Sequence, residues 1–251
     1  MRAAPIFLTS IFLTSIALTL IAPTVFAADG ACVATSTADR VHVVELYTSE
    51  GCSSCPPAER WLSTLRDKPA YIGLEYHVDY WDSSDWKDPY SSARYTSRQK
   101  ALVRREKSDV SYTPQIAVDG RVWKTWPKGA PPEADSAAAP ELRLEALPGD
   151  GLRARVSTSG AAVAEGQVFV ALAQNGLSNK IRGGENRGAT LNHDHVVRAF
   201  AGPLQSGTAD AELSVPKEID WTQSSLVAFV QSDRDGAIVQ AVRLPLAGCR
   251  Q

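Results

Sequence analysis

The stretch Val41–Pro57, VHVVELYTSEGCSSCPP, runs from a β-branched and aromatic segment into two cysteines separated by two residues, and then into a pair of prolines. Val41 to Tyr47 has few polar breaks, the texture of a largely buried strand, and it ends at Thr48-Ser49-Glu50-Gly51. From Pro57 onward, Ala58, Trp61, Leu62 and Leu65 fall at i, i+3, i+4 and i+7, one face of a helix. Pro56 and Pro57 suit a first turn that has no backbone donors to lose. Cys52 and Cys55 therefore stand where a strand hands over to a helix.

Tyr71 to Val78 reads as the next strand, reached through that helix, which makes a parallel βαβ unit. Its exit, Asp79 to Tyr90, is crowded with aromatics and acids, and Ser91 to Lys107 reads as a highly charged helix carrying Arg94, Arg98, Arg104 and Arg105. Tyr112-Thr113-Pro114 leads into the short strand Gln115–Val118, and Asp119-Gly120 marks a tight hairpin before Arg121-Val122-Trp123. Residues 130–140 are small and proline-rich, a linker composition. From Glu141 the pattern becomes short strand-like runs: Leu142–Leu147, Leu152–Ser157, Gln167–Ala173, Ala189–Ala199, Ala211–Val215, and Leu226–Val230 paired with Ile238–Leu244. Such spacing predicts an antiparallel β-sandwich.

The 251 residues, 44% hydrophobic and 22% charged, fit one large or two smaller globular domains. Residues 1–27 carry one charge, Arg2, an apolar run from Ile6 to Ile21 and a small-residue end at Val25-Phe26-Ala27, the features of a secretory signal peptide. No later segment is long and apolar enough to predict a membrane span. Loss of Arg2 with the signal leaves 25 basic against 28 acidic residues, a balance that points away from nucleic acid. Export, to a periplasm or outside the cell, would put the four cysteines in an oxidising compartment. Of the three connectivities open to them, a Cys32–Cys249 staple between the termini with a local Cys52–Cys55 pair is the simplest. Lipidation of Cys32 fits poorly, because Asp29 stands where a lipoprotein signal needs an aliphatic residue.

Thiolates carry out thiol–disulfide exchange, and a cysteine at a helix N-terminus has its anion favoured by backbone N–H groups and the helix dipole. Cys52 is thus the expected attacking thiol and Cys55 the resolving one. A zinc site would need a second ligand pair at comparable spacing, and the other cysteines lie at the chain ends. Thr113-Pro114 before a strand, taken with the βαβ order and the hairpin after it, favours a cis proline over a trans proline in an ordinary loop. His77-Val78-Asp79-Tyr80-Trp81-Asp82 stands at a strand's C-terminal end, where open α/β sheets bind ligands. His77 or Asp79 could move protons, and Trp81 and Trp86 could floor a peptide groove; the bland alternative is loop packing and helix capping. A copper carrier built on Cys52, Cys55 and His77 is a weaker reading, since Met1 is the only methionine. His193 and His195, two apart on an expected strand, would share a face, but no third ligand is evident, so no metal is assigned.

With these residues in view the chain resembles the thioredoxin-like superfamily. It resembles more closely the bacterial secreted family named domain of unknown function 1223, through Glu45–Ala58, His77–Asp82 with Trp86–Pro89, Tyr112–Gln115, Glu185–Gly188 and His193–Arg198. The resemblance implies an α/β thioredoxin-like N-terminal domain over residues 41–129, joined to an antiparallel β-sandwich-like C-terminal domain over 141–251. It also implies a redox dithiol, though the family has no settled substrate; the expected action is on protein, peptide or small-molecule thiols and disulfides, with no cofactor beyond Cys52–Cys55. Two features depart from thioredoxins proper: Leu46, beside Glu45, stands where they carry a buried acid, and the proline-rich 127–139 stretch stands where they place a last helix. The alternative from another class is a redox-inert exported binding module in which Cys52–Cys55 is a fixed clip.

Overall fold

The protein was analysed as a computed structural model, which describes Met1 and residues 32–126, 128–129, 131, 139–147, 151–160 and 166–249. The expected signal peptide, beyond Met1, and most of the 130–140 linker lie outside these residues. Among the described residues, fourteen strands and two α-helices make a mostly β structure: β1 (Val33–Thr35), β2 (His42–Thr48), α1 (Pro56–Ser63), β3 (Tyr71–His77), α2 (Ala93–Arg105), β4 (Gln115–Val118), β5 (Arg121–Val122), β6 (Glu141–Leu147), β7 (Leu152–Ser159), β8 (Gly166–Gln174), β9 (Leu177–Lys180), β10 (Thr190–His193), β11 (Val196–Gln205), β12 (Thr208–Leu213), β13 (Ser224–Ser232) and β14 (Ile238–Pro245).

The β, α, β, α, β, β order of the first half is as the periodicity predicts. β2 and β3 run parallel in register Leu46↔Glu75 and Thr48↔His77, and β4 lies antiparallel to β2 with Tyr47 opposite Gln115. Asp119 and Gly120 both have positive φ, 50° and 76°, the backbone twist that a two-residue hairpin needs.

The expected division into two domains is not how the sheets are arranged. One eight-stranded mixed sheet, ordered β14-β13-β8-β11-β3-β2-β4-β5, crosses the 130–140 boundary, and Ala31–Gln251 clusters as one compact unit. β11 lies antiparallel to β8 and parallel to β3, where the Glu75 N–H donates to the His195 carbonyl at 2.8 Å. A second, antiparallel sheet, β1-β6-β7-β12, covers the C-terminal part of the large sheet over a core that includes Leu142, Leu144, Val156, Val170, Leu172, Leu226 and Leu244. This two-sheet packing is the sandwich expected from the short strand repeats, except that one of its sheets also belongs to the first half.

Each face of the large sheet has its own cover. α2 packs on one face across both halves, in a core joining Tyr47, Leu74, Tyr76, Tyr95 and Leu102 to Phe169, Val227 and Phe229. α1 covers the other face over Val44, Leu46, Ile116 and Val118 through Ala58, Leu62 and Leu65. Since side chains alternate along a strand, Gly73, Glu75 and His77 of β3 face the α1 side while Ile72, Leu74 and Tyr76 face α2. Cys32 and Cys249 are bonded to each other, tying the start of the described chain to its end.

Candidate functional site

The C-terminal end of β2 delivers Ser49–Gly51 into a Cys52–Cys55 disulfide whose second cysteine is the N-cap of α1. The Thr113–Pro114 peptide is cis. Because Gln115 pairs with Tyr47, Pro114 sits at the same end of the sheet as the disulfide. Trp81 ties the two together: its indole N–H donates to Thr113 Oγ1 at 2.8 Å, and its Cβ lies 3.3 Å from where a Cβ on Gly51 would be. Trp81 is therefore a wall between the cysteine turn and the proline turn.

Helix-terminal support for a Cys52 anion differs from the expectation. Pro56 and Pro57 bring no N–H, and the N–H groups of Ala58 and Glu59 donate to the Cys55 carbonyl at 2.9 and 3.3 Å. The polar neighbour of Cys52 Sγ is the Ser54 hydroxyl at 3.4 Å.

A loop from the second half lies over the cysteine turn. Asn186 Nδ2 donates to the carbonyls of Glu50 and Cys52, both at 2.9 Å, and Glu185 Oε2 accepts from the Ser53 N–H at 3.0 Å and its hydroxyl at 2.7 Å. Those bonds from Ser53 hold the exposed Glu185 carboxyl below its usual range. On its other flank the loop is held by Asp85, which accepts from Gly184 N–H and Arg187. Beneath it Cys52 is 1% exposed and Cys55 fully buried. Sequence reasoning placed Glu185–Gly188 only as part of a family resemblance; nothing in their spacing signals a cover.

Below the disulfide, on the α1 face of the sheet, lies a buried polar cluster: Glu50, Glu59, Glu75, His77, Asp88 and His193. Glu75 Oε1 is 2.8 Å from His77 Nε2 and 3.0 Å from His193 Nδ1. His77 Nδ1 meets Asp88 Oδ2 at 2.7 Å, and Asp88 also accepts from the Glu50 N–H. His193 Nε2 lies 3.3 Å from Glu50 Oε1, out of line for a hydrogen bond. Thr48 donates to Glu59 Oε1 at 2.6 Å, and Glu59 Oε2 is 3.6 Å from His193 Nδ1.

Burial works against charge throughout this cluster. It opposes imidazolium at His77 and His193, yet Asp88 and Glu75 hold His77 well above its ordinary value, and the neighbouring carboxylates of Glu50 and Glu75 lift His193 to about 9. Burial raises Glu75 too, but its two histidine bonds outweigh that and leave it low; Asp88 is likewise held low by His77. Glu59, buried and repelled by Glu75, rises to about 7.

The sequence-predicted residues therefore separate. Cys52, Cys55, Thr113, Pro114 and Trp81 come together, and Trp86 packs against Gly184 of the covering loop. His77 is fully buried in the acidic cluster, and Asp79 is turned onto α2, accepting from the Thr96 hydroxyl at 2.5 Å, while the cap of α2 is Ser92, whose side chain accepts from the Arg94 N–H. His193 and His195 do not share a strand: β10 ends at His193, and His195, at φ 62°, lies in the turn before β11 with its ring packed on Gly73. The cluster's acids were missed because Glu50, Glu59, Glu75 and Asp88 come from four segments; the available signal was Glu75 and His77, two polar residues on one face of an otherwise apolar strand.

No curated protein matches the chain. Among solved structures it is similar to the protein AGR_C_4864 from Agrobacterium tumefaciens, at 23% identity and TM-score 0.59, over 84% of this chain and 97% of that one. It is also similar to HBP35 of Porphyromonas gingivalis, at 16% identity and TM-score 0.56, over 84% of this chain and 76% of that one. At these identities the likeness is one of fold alone. The family described as "Protein of unknown function (DUF1223)" matches residues 43–231, which spans the disulfide, the cis proline, the covering loop and the buried cluster, and the chain belongs to that family.

Proposed function

We propose that the protein is an exported thiol–disulfide oxidoreductase with a thioredoxin-like arrangement in its first half, working on protein or peptide thiols through Cys52–Cys55. The observation that carries this reading is the Cys52–Cys55 disulfide at the mouth of α1, level with the cis Thr113–Pro114 peptide and joined to it by Trp81. In the oxidised form a substrate thiolate attacks Cys52 Sγ. The Cys52–Cys55 bond breaks, a mixed disulfide forms, and Cys55 leaves as thiolate and takes a proton. A second substrate thiolate then attacks its own mixed-disulfide sulfur, so the substrate leaves as a disulfide and the protein holds two thiols and the two electrons. The reverse sequence reduces a substrate disulfide, and the stability of the reduced pair sets the direction.

One observation favours the second reading, a fixed clip in a binding module: Cys52 is 1% exposed and Cys55 fully buried, in a turn whose backbone and Ser53 hydroxyl are bonded by Glu185 and Asn186. Exchange thus requires that turn to be uncovered. Expression of Cys55→Ala in an exporting host tests the two readings. Mixed disulfides trapped on Cys52 are expected; a Cys52–Cys55 bond that resists mild reductants in the unmodified protein, with nothing trapped on the variant, would establish the clip.

A further inference from the structure

The geometry points to a second site, independent of the cysteines: a divalent first-row transition cation of zinc's size, held by Glu75, His77 and His193 beneath the disulfide, with Glu59 beside His193. Glu75, His77 and His193 each bring a ligand atom within 4.8 Å of the other two. Within this set Glu75 Oε1 lies 2.8 Å from His77 Nε2 and 3.0 Å from His193 Nδ1, and Glu59 Oε2 stands 3.6 Å from His193 Nδ1. Ligands about 2.0–2.2 Å from a metal stand about 3–3.5 Å apart, so Glu75 is already near ligand spacing from both imidazoles.

Three further features separate this from a merely hydrogen-bonded cluster. Glu75 is fully buried, yet its Oε2 has no hydrogen-bond partner, an unsatisfied charged oxygen that a cation would satisfy. Each imidazole also has its outer nitrogen against a carboxylate, His77 Nδ1 on Asp88 at 2.7 Å and His193 Nε2 near Glu50 at 3.3 Å. The bond to Asp88 orients the His77 ring with its inner nitrogen toward Glu75, as outer carboxylates do around metal-bound histidines. Finally, among the described residues the four buried carboxylates have only His77 and His193 as ion-pair partners. A divalent ion replaces the two protons that must otherwise lie between Glu75 Oε1 and the rings, and the charge of the cluster is unchanged. Two histidines with a carboxylate and no thiolate select a zinc-like ion over copper(I). Tyr90, whose ring edges both imidazoles at 5.3 and 5.8 Å, also lines a surface cleft with Asn179 and Arg198, so one side chain separates the cluster from that cleft.

The test refolds the full oxidised chain with Co(II) and measures bound metal and visible absorption after gel filtration. One Co(II) per chain is expected, with ligand-field bands and no sulfur-to-metal charge transfer. Glu75→Gln and His193→Gln should each lower affinity by at least about 100-fold, and Asp88→Asn by about 10–100-fold. The Cys52→Ser/Cys55→Ser variant should bind as the parent does, so a failed redox assay leaves this site unaffected. X-ray absorption of the Co(II)-loaded parent, which needs no variant to fold, should show two imidazoles and oxygen in the first shell. Sulfur in that shell, no stoichiometric Co(II) in the parent, or equal affinity in folded Glu75→Gln would overturn the proposal.

Discussion

Gly183 governs how closely the covering loop sits on the cysteine turn. A Cβ there would stand 2.2 Å from the Asp85 carbonyl oxygen, a backbone atom that cannot rotate aside, so Gly183→Ala must lift the loop that carries Glu185 and Asn186. Overpacking of this kind costs about 1–3 kcal/mol, and reduction of Cys52–Cys55 by dithiothreitol, followed by thiol alkylation and mass spectrometry, should quicken about tenfold or more. An unchanged rate in a folded variant would mean that the loop does not control access. At this scale the cysteine pair and Thr113-Pro114 were legible because each is a local pattern with a local geometric meaning. His195 was not: its reading as a strand residue failed because its left-handed backbone ends the strand, and the ring that fills the space over Gly73 is a tertiary fact with no trace in local spacing.

At the scale of the element, α2 shows what helical periodicity hides. Its arginines suggest a solvated face, yet Arg98 is interior, 2.6 Å from Glu45 Oε1 and over the rings of Tyr76, Phe169, Phe200 and Phe229 at 4.9–5.7 Å. This also accounts for Glu45, the acid beside Leu46: it faces α2, away from the buried cluster, and is committed to Arg98. Arg98→Leu leaves that carboxylate buried and unpaired, and should cost about 3–5 kcal/mol in urea unfolding. Adding Glu45→Leu should recover more than half of the loss, and strictly additive losses in the cycle would refute the pairing. The tyrosines of the same layer make a separate prediction. Burial, first among the causes, raises Tyr95 to about 12 and carries Tyr47 and Tyr76 well above their ordinary value. A raised folded-state value means the unfolded chain ionises first, so this stabilisation is complete below pH about 10 and is lost as pH climbs from there through about 12. Part of the tyrosinate absorbance should therefore appear only together with unfolding, and complete ionisation near pH 10 with near-ultraviolet dichroism intact would contradict it.

For the whole molecule, the change of texture at Glu141 was legible, but its meaning as a domain boundary was not, because strand pairing across the linker leaves no local mark. β11 inserts beside β3, Tyr95 donates to the Val197 carbonyl at 2.9 Å, and the cage around Arg98 draws Tyr76 from one half and three phenylalanines from the other. The Cys32–Cys249 bond, with a sequence separation of 217, then closes nearly the whole described chain into one loop. On the chain-entropy account its removal in Cys32→Ser/Cys249→Ser should cost about 5 kcal/mol while leaving Cys52–Cys55 exchange unaltered. The sheet itself makes the stronger demand. A fragment of residues 41–129 would expose the β11-facing edge of β3, uncover the phenylalanine side of Arg98 and take His193 from Glu75, so it should show no cooperative thermal transition and be digested rapidly by protease. The full chain should instead unfold once, with far-ultraviolet, near-ultraviolet and tryptophan signals coincident. A separately folded 41–129 fragment, or two resolved transitions in the full chain, would show that the shared sheet is a contact between autonomous halves rather than the basis of a single cooperative core.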